Sequence, residues 1–197
     1  MLVFWEQRLA FLATPKTGTT AIESALESLA ALSIQRPPIL KHTTVMRYHR
    51  FIAPYLEVSS GQEFDVVAVM REPRSWLSSW YRYRQRDDIT DPRRSTQGIT
   101  FDEFVRAYCA EEPPEFAAVG SQAQFFKPRN GKGLTRLFRY EAIDSFVDFL
   151  EDRLGCAITL PRVNVSPEGD TDLSGATEDL LRRYLKADFE IYAAIRD

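Results

Sequence analysis

Short apolar runs alternate along the chain with longer amphipathic stretches. Leu2 to Trp5 and Leu9 to Ala13 flank a polar turn and read as the two strands of a hairpin. From Thr20 to Ala31 the apolar positions Ile22, Ala25, Leu26 and Leu29 fall on one face, which predicts a helix. "RPPIL" reads as a loop leading into a short strand near Ile39 to Lys41, and "TTVMRYHRFIAPYL" as helical up to Pro54. The clearest strand is "FDVVAVMRE", whose unbroken Val/Ala run predicts a strand covered on both faces. Pro73 suits the first turn of a helix, and the pattern continues through "RSWLSSWYRYRQR".

Beyond a polar loop at 87–100, Phe101 to Cys109 is helical in pattern, with Thr100 as a suitable N-cap. "EEPPEF" breaks that helix, "LTRLFRYEAI" reads as a strand, and a further helix runs to about Leu154, where Gly155 is the expected stop. "LPRVNVSPEGDTDLSG" is a long loop, and one or two helices close the chain from Asp179. Strands alternating with helices predict a parallel sheet with helices on both faces. The expected architecture is therefore α/β: one domain over residues 1–197, three layers α/β/α, with a P-loop-like phosphate loop. Such sheets bind ligands at the carboxyl ends of their strands. The loop at 15–20 and the turn at 71–74 both fall at such ends.

Composition narrows the classes. Apolar content of 44% and charged content of 27% are those of an ordinary globular chain. A net charge of −3 argues against general nucleic-acid or membrane binding. Cys109 and Cys156 stand far apart without metal or redox spacing, which suits a reducing compartment. Glu6, Gln7 and Arg8 interrupt the apolar start, so no signal peptide is read, and a cytoplasmic location is expected.

The sharpest local chemistry lies in "PKTGTT", residues 15–20. Gly18 permits a turn with no side chain in the way. The N–H groups of Thr17, Gly18, Thr19 and Thr20 can line a concavity at the positive end of the following helix. The threonine hydroxyls add donors, and Lys16 adds a mobile charge. Phosphate or sulfate fits such a loop; a Thr-rich turn that merely caps a helix is the plainer reading. In the Walker A pattern the lysine follows the last glycine, whereas Lys16 precedes Gly18.

A second segment, "VVAVMREPRSWLSSWYRY", sets Arg71 at a strand end and Ser79 eight residues later on a helix. Together the two segments resemble the sulfotransferase family that uses 3′-phosphoadenosine 5′-phosphosulfate (PAPS). "PKTGTT" resembles that family's 5′-phosphosulfate loop and "REPRSWLSSWYRY" its 3′-phosphate segment. "LFRYEAIDSFVDFLEDRLG" resembles the family's strand and helix around a Tyr-Glu pair. "VNVSPEGDTDLSGATEDLLRRYLKADFEIY" resembles the closing region of the carbohydrate-directed branch. The likeness runs over roughly residues 9 to 193. Two departures stand out. Ala21 occupies the place where many relatives carry an adenine-stacking tryptophan, which leaves Tyr140 and Trp76 as candidates for that contact. The glycine-rich segment that closes over the 3′-phosphate in the small-molecule branch is absent.

The resemblance implies a division of labour. Lys16, Thr17, Gly18, Thr19 and Thr20 would hold the 5′-phosphosulfate, with Lys16 at the bridging oxygen where charge develops. Arg71 and Ser79 would hold the 3′-phosphate, with Arg74 as a helper. His42, after the second strand, is the expected base, and Glu23 the reserve. His49 reads as a packing or surface residue, and Lys41 as an aid to acceptor orientation. The co-substrate would be PAPS, the product adenosine 3′,5′-bisphosphate, the acceptor a hydroxyl on a small molecule or glycan, and no metal is called for. Two other readings stay open: a P-loop nucleotide kinase or NTPase, and a non-catalytic nucleotide-binding module. Oligomeric state has no signature in the sequence.

Overall fold

A computed structural model describes residues 1–161 and 170–196. The strands are β1 (Leu2–Phe4), β2 (Leu9–Leu12), β3 (Leu32–Ser33), β4 (Asp65–Met70) and β5 (Arg136–Arg139). The helices are α1 (Thr19–Leu26), α2 (Pro38–Lys41), α3 (Val45–Arg47), α4 (Ala53–Ser60), α5 (Pro73–Arg84), α6 (Phe101–Tyr108), α7 (Gln122–Phe125), α8 (Ile143–Leu154), α9 (Gly175–Tyr184) and α10 (Lys186–Ala194). Part of the long loop and the start of the closing region likened to the carbohydrate-directed branch, residues 162–169, lie outside the described residues.

The strands form one five-stranded sheet of order β3-β1-β2-β4-β5. Its core β2-β4-β5 is parallel, and helices flank it. The sheet is mixed rather than all parallel. A hairpin is antiparallel by construction, so β1 joins β2 with Val3 opposite Ala10, and β3 adds to β1 in the same sense.

Packing follows the pleat. Leu9 and Phe11, Val67 and Val69, and Phe138 share a cluster with Ile22 and Leu26 of α1 and Phe146 and Leu150 of α8. The alternate residues Ala10, Val66, Ala68 and Met70 are buried as well, so β4 is covered on both faces as its run of Val and Ala predicts.

The helix boundaries have local causes. Thr100 caps α6 in a full capping box with Glu103. Gly155 ends α8 in the left-handed conformation at φ 68°. The segment expected to stop at Pro54 continues instead. A π-helical turn at Tyr48–Ile52 passes the Ala53 N–H back to the Tyr48 carbonyl, and α4 starts afresh with Pro54 in its first turn, where no N–H is needed. The strand expected at Ile39–Lys41 is the short helix α2, opened by Pro38 at a position that suits proline. Ile39 and Leu40 face solvent, which removes the reason for a strand there.

The chain divides into two compact units. The first comprises residues 1–71, 122–164 and 194–197, and holds the sheet. The second comprises residues 72–121 and 165–193. Its own core gathers Trp76, Leu77, Tyr81, Phe101, Phe104, Tyr108 and Leu181 from α5, α6 and α9. Among the described residues no helix is long and apolar enough to cross a membrane.

In the first unit, the Phe146 ring lies 5.3 Å from Phe11 and 5.0 Å from Phe138, so it links α8 to β2 and β5. Phe146→Ala should lower unfolding free energy by about 3–5 kcal/mol in a denaturant titration. A loss under about 1 kcal/mol would show that this ring does not hold helix to sheet.

Candidate functional site

Parallel strands deliver their carboxyl ends to one edge of the sheet. In β2, Leu12 pairs with Ala68 of β4, and in β4, Met70 pairs with Arg139 of β5. The next residue of β4 is therefore level with the next residue of β5: Arg71 with Tyr140. The side chains meet, with the Arg71 guanidinium carbon 4.7 Å from the centroid of the Tyr140 ring.

The loop after β2 enters the same cluster. Arg71 Nη1 donates to the Lys16 carbonyl at 3.4 Å. Gly18 lies under Tyr140, and a Cβ at Gly18 would come within 3.1 Å of Tyr140 Cε2. Gly18 also has φ 71°, so both conformation and space require glycine. Lys16 itself takes φ 65°, an uncommon state for a lysine and one that turns the loop sharply. The Thr17 hydroxyl donates to the Thr14 carbonyl at 3.0 Å, so it braces the loop from inside. At the start of α1, Gly18 supplies no side-chain cap and the first turn carries no acid. The first N–H groups of a helix have no intrahelical acceptor, so this end keeps its donors and its positive dipole for a ligand.

His42 also arrives, by a route other than the expected one. It sits at the C-cap of α2, and its Nδ1 lies 2.7 Å from the Ala13 carbonyl just beyond β2. A carbonyl can only accept, so Nδ1 carries the proton and Nε2 keeps its lone pair. Burial is the largest influence on the ring and pushes its pKa below the ordinary value; the Ala13 contact pulls the other way, and Lys41 lowers it further. Burial thus favours the neutral imidazole.

Glu23, the reserve base, is engaged otherwise. It is buried, with Oε1 at 3.0 Å from the Met1 amino group and Oε2 at 2.7 Å from Lys41 Nζ. Both of its carboxylate oxygens are thus engaged by cations. Lys41 also reaches the Thr20 hydroxyl at 3.4 Å, which ties α2 to the first turn of α1.

In the second unit, Ser79 is buried on α5. Trp76, a candidate for adenine stacking, is 2% exposed in that unit's core and has no free face to offer. Arg74 is occupied by the Glu178 carboxylate at 3.4 Å and the Thr171 carbonyl at 3.0 Å. Arg86 and Arg93, both beyond the end of α5, pair with Asp88 and Asp91, each at 2.9 Å. His49 packs edge-on against Tyr48 and contacts the Gly133 carbonyl at 2.9 Å, a packing role.

One residue of the cluster has no motif to announce it. Gln122, at the start of α7, is completely buried, and its amide bonds both peptide groups of Arg71. Its sequence surroundings, "GSQAQFF", carry no periodic or spacing signal.

No protein-family model matches the chain, and no curated protein matches it.

The depressed pKa of His42 has a consequence for stability. The unfolded state takes a proton near pH 6.5, the folded state only at lower pH, so protonation favours unfolding. Stability should fall as pH drops below about 6.5, and His42→Gln, whose amide can still donate to the Ala13 carbonyl, should lose that part of the slope. Denaturant titrations between about pH 5 and 7 measure this, and identical slopes in the two proteins would show that His42 is not held neutral by the fold.

Proposed function

We propose that the chain is a PAPS-dependent sulfotransferase, with the three-layer α/β/α plan of P-loop proteins. One observation carries the reading. The glycine loop, Arg71 and Tyr140 converge at the carboxyl edge of three parallel strands, with His42 held neutral beside the first of them.

The residues suit the donor by their chemistry. The loop and helix start offer N–H donors, and Lys16 and Arg71 offer cations. PAPS supplies an activated sulfuryl group whose transfer breaks the bond from sulfur to the bridging oxygen of the 5′-phosphate. Lys16 and the N–H groups of Thr17 to Thr20 stabilise the charge that grows on that oxygen. The acceptor hydroxyl forms the new bond to sulfur in line, and His42 Nε2 takes its proton. Adenosine 3′,5′-bisphosphate remains, with its 3′-phosphate on Arg71; the resemblance alone assigns Ser79 to the same group. Tyr140 offers a ring for the adenine that Ala21 cannot stack upon. The acceptor class, a hydroxyl on a small molecule or glycan, rests on the resemblance alone.

The 3′-phosphate separates this reading from every ATP-using one. An arginine fork in a partly desolvated place loses a few kcal/mol when its anion is missing, or about two orders of magnitude in affinity. In calorimetric titrations adenosine 3′,5′-bisphosphate should bind about 100-fold more tightly than AMP, ADP or ATP. Arg71→Ala should erase most of that preference and Ser79→Ala a smaller part. Equal binding of ATP and the bisphosphate would sink the sulfotransferase reading.

A further inference from the structure

Within the sulfotransferase reading, on which this inference rests, we propose that Gln122 is a positioning residue for recognition of the 3′-phosphate. It acts by fixing the backbone of Arg71. The Arg71 N–H donates to Gln122 Oε1 at 2.9 Å, and Gln122 Nε2 donates to the Arg71 carbonyl at 2.8 Å. Two bonds exchanged with one residue are what an antiparallel neighbour strand provides.

That substitute is needed at this position. The ladder of β4 ends at Ala68 on the β2 side and at Met70 on the β5 side. Arg71 is the first residue past both, on the central strand of the parallel core. A part-buried peptide there would otherwise leave polar groups to be satisfied at a cost. Gln122 is 0% exposed, so its amide is shielded from water and its two bonds hold firmly.

The clasp does more than satisfy a peptide. Fixing the Arg71 Cα aims the guanidinium at the Tyr140 ring and the Lys16 carbonyl, where the proposed anion site lies. Few side chains can do this. Asparagine is one methylene short, and glutamate offers two acceptors where one donor and one acceptor are required. The two residues stand 51 positions apart, so the pairing is set by the fold and not by local sequence. Gln122 does not touch the ligand in this account; it works through Arg71.

The test compares wild type with Gln122→Met, which keeps the side-chain length and loses both bonds. Each is titrated calorimetrically with adenosine 3′,5′-bisphosphate and with AMP, and each is melted to follow the fold. Gln122→Met should lower the bisphosphate-over-AMP preference about tenfold or more while AMP affinity stays within about twofold. A purely structural role would lower the melting temperature and leave the preference intact, and that result overturns the proposal. Should Gln122→Met fail to fold, Gln122→Glu, which keeps the acceptor for the Arg71 N–H and loses the donor, must show the same selective loss, and an unchanged preference in it counts against the proposal equally. A wild type with no preference for the bisphosphate overturns the sulfotransferase reading itself, and this inference with it. A wild type with the preference and a variant that retains it overturns the inference alone.

Discussion

The parallel register of β2, β4 and β5 is the constraint on which the site depends. Because Leu12 faces Ala68 and Met70 faces Arg139, the residues that follow these strands must emerge at one edge. A slip of one residue between β4 and β5 would send side chains to the opposite face and separate Arg71 from Tyr140. The register is held by burial on both faces, with Val67 and Val69 in the cluster under α1 and α8 and the alternate residues buried opposite. The apolar core thus sets the position of the charged groups above it.

Around that edge, polar groups restrain one another. The Thr17 hydroxyl holds Thr14, the Lys16 carbonyl receives Arg71, and the Ala13 carbonyl fixes the tautomer of His42. A left-handed lysine costs on the order of 1 kcal/mol or more, which the loop's own bonds and the neighbouring arginine offset. Under the proposed reading an anion would meet donors already oriented, with little ordering left for binding to supply.

Much of this was legible in the sequence, wherever the cause is local. The β1–β2 hairpin, the buried run of β4, the Thr100 cap and the Gly155 stop all follow from neighbouring residues. So does the tight turn at Gly18 between β2 and α1, since glycine takes the left-handed conformation at little cost. What escaped has a distant cause. The two-residue strand β3 exists only because β1 offers it an edge. The α2 helix was masked by two apolar residues that face solvent, and the π-turn before Pro54 by a pattern that suits either outcome. Glu23 reads as a reserve base until Met1 and Lys41 are seen to share it. The helices of the second unit were legible one by one, but not their union in one core, which is assembled from segments on either side of the β5–α8 stretch.

The bond between Gln122 and Arg71 has a topological meaning too. The chain departs from the sheet-bearing unit after Arg71 and re-enters it at Gln122. The two ends of that excursion are therefore pinned together by one side-chain amide. Closing a longer loop is inexpensive, with each doubling of length adding only about 0.6 kcal/mol. The roots of residues 72–121 stay fixed at the strand edge by this bond, while the segment's own helices share a core with α9. The molecule carries a fixed pair of roots there, two points 51 positions apart in sequence and joined through one amide.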